Sequence, residues 1–395
     1  MALDFDSARL SNPYLTPEHE EWRAQIRRFV EREIMPFAAE WDEAGEIPDE
    51  LWPKAAEVGI LGLGYPEEYG GISEGIDAWY GNIMTEEIAR PGVGGIFPSL
   101  LIHGIGLPPV ANFASEAIKQ EVVPAVLDGS KRISLGITEP GGGSDVANLQ
   151  TTARLHKGKG EGDYYIVNGS KTFISGGMRA NWTSTAVRTG GEGPGGVSML
   201  LIPMDAEGVS RTALDRKQGW WCSDTATIYF DNVKVPVENL IGQEGHGFLV
   251  IMNNFNSERM GMCVQMEAYS RVCLEEAVNW AQERKTFGKR LADHQVIRHK
   301  IAQMKQQINA CQAMINHCSR EIIEGSSNPG DIAMLKVQCS QTMEFCAREA
   351  SQILGGASYL RDNRVERIYR EVRVQAIGGG SEEIMRDLAS RQYGV

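Results

Sequence analysis

The chain has 395 residues, 42% hydrophobic and 23% charged, which is ordinary for a globular protein and long enough for two or three domains. A formal charge of −13 argues against nonspecific binding to nucleic acid or anionic membrane, so a polyanionic ligand must find local cations. No apolar run reaches the roughly 18 residues of a spanning helix, the early acids argue against a secretory signal, and the expected compartment is the cytoplasm. Seven cysteines without a Cys-x-x-Cys pair predict buried, reduced thiols rather than a disulfide or zinc framework.

From Thr16 to about Lys131 the pattern is helical. Thr16 and Pro17 suit an N-cap and first position, and Trp22, Ile26, Phe29 and Ile34 recur at helical spacing. Between Ile133 and about Gly242 the texture becomes that of a compact β domain. There "YYIVNGSKTFIS" is expected to form a hairpin about Asn168-Gly169, and "VSMLLIPM" and "ATIYFDNVKV" form further strands. After Gly247 helices return. Ile297, Ile301, Met304, Ile308, Cys311, Ile315, Cys318 and Ile322 make one apolar stripe, and a second helix should run from Asp331 to Leu354 and stop at Gly355-Gly356. The expected architecture is α+β, with a helical domain over 1–132, a β domain over 133–243 and a helical bundle over 244–395.

Gly71-Ile72-Ser73-Glu74-Gly75 spells a nucleophile elbow but lacks the preceding strand, and Gly191 to Gly196 spells a dinucleotide fingerprint without strand or helix. The histidines show no metal spacing, and no metal is expected. "GITEPGGGSD", Gly136 to Asp145, is more informative. A strand end delivers Thr138 and Glu139, three glycines expose amides, and Ser144 and Asp145 add oxygens, which suits a flat heterocycle. Near the C-terminus "AIGGGSEEIMR", Ala376 to Arg386, sets three glycines before a helix start at Ser381, as a tight turn or a phosphate-bearing ligand would require.

The "GITEPGGGSD" segment resembles the first signature of the acyl-CoA dehydrogenases, and the resemblance extends over nearly the whole chain. It implies that family's fold, with a C-terminal four-helix bundle, and FAD as cofactor. Flavin contacts are implied for Ile137, Thr138, Gly143 and Ser144, and for Phe173 and Ser175 of "GSKTFISGG", where relatives more often carry Trp at the first. "ERKTFGK" resembles the arm that reaches FAD across a subunit interface, which implies roles for Arg284, Thr286, Phe287 and Gln295. "QILGGASYLRDNRVERIYREVR" matches the second signature, with Gln352, Gly355 and Gly356 on the cofactor and Ser358 where that signature has glycine.

In most relatives the "AIGGGSEE" region carries the catalytic glutamate, and here that position is Gly379, while Ser381 and Glu383 still match contacts to the FAD adenosine end. The long-chain and isovaleryl members instead place the base on a helix just before an arginine, and "NFNSERMGM" sets Glu258 before Arg259. The resemblance therefore implies Glu258 as base and Ser144, Asn256, Arg259, Gly378 and Gly379 on the substrate. Burial should raise the pKa of Glu258 when substrate binds. The implied reaction is α,β-desaturation of an acyl-CoA, branched or of medium to long chain, to a trans-2-enoyl-CoA. Electrons would pass to an electron-transferring flavoprotein, and the assembly would be a homotetramer without nucleic-acid or membrane partners. A flavin monooxygenase or acyl-CoA oxidase on the same fold, or a non-catalytic binding protein, is the alternative. Gly378 and Gly379 should open space about the α and β carbons.

Overall fold

The computed structural model describes residues 3–158 and 162–395, with the side chain of Asn256 outside the described set. Helices fill the chain up to Leu127. The first, α1 (Pro17–Phe29), starts at Thr16, whose N–H donates to His19 Nδ1 (3.0 Å), and buries Trp22, Ile26 and Phe29. It runs into a π-helical turn, Val30–Ile34, that buries Ile34. Short helices then connect α2 (Ala78–Ala89) and α3 (Glu116–Leu127).

Eight strands follow: β1 (Ile133–Gly136), β2 (Thr152–His156), β3 (Tyr164–Ser175), β4 (Trp182–Arg188), β5 (Val197–Pro203), β6 (Val209–Ala213), β7 (Thr225–Pro236) and β8 (Leu240–Ile241). Their order is β6-β7-β3-β2-β4-β5-β8, with β1 parallel to β4 beside this path. One face, including Ile133, Ala186, Met199 and Leu201, packs on Leu107, Val110 and Val122 and on Val250 and Ile251. The other face carries its own core of Tyr165, Val167, Ile228 and Val235.

The hairpin expected at Asn168-Gly169 does not form. β3 is one strand of 12 residues, antiparallel to β7, and its register slips between Val167 and Gly169. A Cβ on Gly169 would sit 2.7 Å from the Thr151 backbone, and its φ of 143° is one that side chains rarely adopt. The Asn-Gly pair therefore serves a bulge, which uses the same backbone freedom as a tight turn.

After the sheet come α4 (Gly247–Glu283), a two-residue-turn hairpin of β9 (Lys285–Thr286) and β10 (Lys289–Arg290), then α5 (Gln295–Glu324), α6 (Pro329–Leu354), α7 (Arg364–Ile377) and α8 (Glu382–Gln392). The α5 stripe buries Met304, Ile308, Cys311, Ile315 and Cys318, and α6 ends at Gly355 with φ 64°. Every residue of α4 from Cys263 to Leu274 is buried, so it is the central helix of the bundle. Arg271, fully enclosed on it, meets Glu267 at 2.9 Å and Glu86 of α2 at 3.4 Å, which ties the bundle to the first helices. All seven cysteines are buried and unpaired as thiols, as composition suggested. Among the described residues no helix is long and apolar enough to cross a membrane.

Candidate active site

Three groups of side chains gather the residues singled out by sequence. The first lies at the end of β1. The Thr172 N–H donates to the Thr138 carbonyl (2.8 Å), which brings the glycine-rich loop against β3. Gly142 closes a turn by exchanging backbone hydrogen bonds with Glu139 (3.0 and 3.1 Å), so its amide is spent within the loop, while Gly143 and Ser144 stay exposed.

Glu139, which the Gly136 to Asp145 motif grouped with the ligand contacts, turns inward instead. Its carboxylate accepts from Lys171 Nζ (2.8 Å), the Gln150 N–H (2.6 Å) and the Thr151 N–H (2.8 Å), and Lys171 also donates to the Ile137 carbonyl (3.1 Å). Burial opposes its ionisation, but Lys171 and the donated hydrogen bonds hold it below the usual carboxylate range. The pair fixes the loop from beneath. Replacing Lys171 by Met strands that carboxylate and should cost about 3–5 kcal/mol of stability. Urea denaturation of the flavin-free chain is the check.

Phe173 stands next to this loop. It adopts φ 58° and is 70% exposed between the buried Thr172 and Ile174, where β3 and β7 lose register. An aromatic residue held in the left-handed region and turned outward costs folding energy, and such strain collects at binding sites. Ile137 is buried beneath, and Thr138 and Ser175 are half-buried on the same edge. An exposed aromatic ring on β3 and exposed glycine-loop backbone after β1 have the chemistry to receive a flat ligand.

The second group joins α4, α6 and the glycines after α7. Arg259 Nε donates to the Gly379 carbonyl (3.1 Å) and its guanidinium lies 5.3 Å from the Phe255 ring. A Cβ on Gly379 would lie 3.8 Å from Glu258 Oε1 and 2.6 Å from Met262 Sδ. The position that carries a glutamate in the resembling family and the Glu258 carboxylate thus meet in space, although 121 positions apart in sequence. Burial pushes the Glu258 carboxyl up to about 7, with Arg259 and Lys336 working against it. That elevation exists without any ligand, whereas sequence reasoning expected it on binding. The space that Gly379 was expected to open is occupied by Met262, one helical turn beyond Glu258. Asn256 lies outside the described side chains.

The third group is exposed. Phe287, at φ 51° and 97% exposed, tips the β9–β10 hairpin, where Thr286 Oγ1 lies 3.3 Å from His294 Nε2. Arg284 and Gln295 are exposed at the two ends of this arm, and Gln352, Gly355 and Gly356 are exposed at the end of α6. Ser358, the departure from the second signature, donates to the Ser351 and Gly355 carbonyls (3.0 and 2.8 Å), so it closes the helix end locally. Ser381 caps α8 through the Ile384 N–H, and Glu383 is exposed on its first turn. No hydrogen bond or ion pair among the described residues joins this arm to the Phe173 loop within one chain.

Sequence reasoning missed Lys336 and Met262. Lys336 falls on the apolar stripe of α6 with Ile332, Cys339 and Met343, all buried, and a charge on such a stripe was the available signal. Met262 carried none, because a methionine on a buried helix is ordinary core.

The fold is a sheet between two helical parts, with a raised carboxylate beside a glycine loop as a candidate proton acceptor. Residues 16–130, 134–233 and 245–394 match the N-terminal, middle and C-terminal domains of acyl-CoA dehydrogenases. Similar proteins include acyl-CoA dehydrogenase AFT10-1 of Alternaria alternata, 36% identical over 97% of this chain and 93% of that one. Another is the long-chain specific acyl-CoA dehydrogenase of Sus scrofa, 32% identical over 95% and 86%. A crystal structure of a probable acyl CoA dehydrogenase from Mycobacterium abscessus superposes with a TM-score of 0.92 at 44% identity, covering 96% of this chain and 99% of that one. The chain belongs to the acyl-CoA dehydrogenase family, as an oxidoreductase with FAD as its cofactor.

Proposed function

We propose that the chain desaturates the Cα–Cβ bond of an acyl-CoA thioester to the trans-2-enoyl-CoA, with Glu258 taking the α proton. The observation that carries this reading is the Glu258 carboxylate, 3.8 Å from the Cβ position of Gly379 and raised by burial to about 7, where a base works near neutral pH. FAD, when bound, supplies the acceptor for the β hydride. The chain's own part is to hold the thioester: Ser144, Arg259, Gly378 and Gly379 line the acyl end, and a loop amide at Gly379 stabilises the enolate-like oxygen. Ile137, Thr138, Gly143, Ser144, Phe173 and Ser175 hold the flavin ring. Arg284, Thr286, Phe287, Gln295, Gln352, Gly355, Gly356, Ser381 and Glu383 hold the pyrophosphate and adenosine end, largely of a neighbouring copy in a homotetramer. The exposed arm supports that assembly, since Phe287 stands almost wholly exposed among the described residues. Electrons pass to an electron-transferring flavoprotein, and seven free thiols suit a reducing cytoplasm.

A long or branched acyl chain is favoured by two relatives, the long-chain specific enzyme of Sus scrofa and the isobutyryl-CoA dehydrogenase of Dictyostelium discoideum, the latter 32% identical. Anaerobic titration with straight and branched acyl-CoA esters, followed by flavin absorbance, tests the function. At least one ester should bleach the flavin stoichiometrically. Bleaching by none, or oxygen consumption matching turnover in air, overturns the reading.

A further inference from the structure

Resting on the reading of Glu258 as base, we propose that Lys336 is a positioning residue whose ammonium fixes the Gly378–Gly380 loop so that loop amides face the thioester carbonyl beside Glu258. Lys336 projects from α6 and has no exposed surface. Its Nζ donates to the Ala376 carbonyl in the last turn of α7 (3.2 Å) and to the Gly380 carbonyl beyond it (2.6 Å). It forms no ion pair with a carboxylate among the described residues. Enclosing an ammonium with carbonyl partners alone is costly, and a methionine would fill the same volume more cheaply. The loop it grips has little stiffness of its own, since Gly379 and Gly380 sit at φ 66° and 108°.

The clamp is two-sided. Arg259 on α4 takes the Gly379 carbonyl while Lys336 on α6 takes that of Gly380. In a trans peptide, a carbonyl drawn one way turns the following N–H the other way, so each cation also aims an amide. The amides aimed in this way, Gly380 N–H by Arg259 and Ser381 N–H by Lys336, donate to no acceptor among the described residues, which leaves them as donors for a ligand oxygen. Glu258, Arg259 and Cys263 of α4 and Glu382 of α8 face the ammonium. Burial lowers Lys336 to about 8, the acids and Cys263 offsetting only part of this, so the grip weakens as pH rises through that value.

The test uses FAD-loaded Lys336→Met and Lys336→Arg enzymes. Lys336→Met is expected to keep its flavin and lose about 10²-fold in kcat with little change in KM, as when one oxyanion donor is removed. Exchange of the acyl-CoA α proton with solvent deuterium should fall by the same factor. Its acid limb should move to higher pH, because Glu258 loses a neighbouring cation. Lys336→Arg, charged at all working pH, should recover at least a tenth of the wild-type rate and lose the alkaline limb near 8. A kcat per bound flavin within about threefold of wild type in Lys336→Met, or an alkaline limb unmoved in Lys336→Arg, overturns the inference; the second measurement decides should Lys336→Met fail to fold. Failure of the dehydrogenase reading looks different, since then no acyl-CoA reduces the wild-type flavin.

Discussion

Glu258→Gln is expected to yield a folded, yellow protein that acyl-CoA no longer bleaches. Its kcat should fall roughly 10²- to 10⁴-fold, the range over which a positioned base contributes. The amide keeps the shape of the side chain and its place beside Gly379 but accepts no proton, so binding of FAD and of the CoA moiety should be retained. Retained binding with lost reduction separates a chemical role from a structural one. A variant reduced within tenfold of the wild-type rate would place the base elsewhere.

The same carboxyl is expected to set the acid side of the pH profile. Only its ionised form takes a proton, so wild-type reduction should rise with pH through about 7 in the free enzyme. Stability runs the other way. Because the folded-state value lies above the unfolded 4.5, the contribution of this group is fully present below 4.5 and is lost as pH climbs to about 7. Glu258→Gln is neutral throughout and should therefore be more stable than wild type above pH 7, by urea denaturation. Absence of both effects would mean that Glu258 is solvated and ordinary.

Much of the frame was legible because each of its parts follows from one local pattern. The α5 stripe and the glycine stop of α6 are short-range signals, and both elements form where the pattern puts them. Asn168-Gly169 misled because a bulge and a hairpin ask the same freedom of the backbone, and only the partner strand β7 decides between them. Glu139 misled for a related reason. A carboxylate in a glycine-rich loop reads as a ligand contact until the buried Lys171, 32 positions later, is known to lie beneath it. Glu258 could be singled out only by resemblance, since its own segment gives no local reason to prefer it to any other helical carboxylate. Lys336 and Met262 act through the Gly378–Gly380 loop, to which long-range packing alone connects them.

Returning the carboxylate to position 379 should not restore the enzyme. In a Glu258→Gln/Gly379→Glu protein the new side chain starts from a backbone at φ 66°, at a cost of about 1–3 kcal/mol for a residue other than glycine. Its Cβ would meet Met262 Sδ at 2.6 Å, so the methionine must swing aside or the loop must leave Arg259 and Lys336. Either movement disturbs the amides proposed to face the thioester, and kcat should stay below a tenth of wild type. Adding Met262→Ala removes the sulfur and leaves room, so the triple variant should recover at least tenfold over the double. With Glu258 retained, Gly379→Glu alone would set two carboxyls close enough to share one proton, which moves the acid limb upward. Full activity in the double variant would show that Met262 yields freely and that nothing in the packing holds the base on α4. The expected failure instead makes the glycine at 379, the methionine at 262 and the glutamate at 258 one steric unit, in which the base can move from α4 to the loop after α7 only when all three change together.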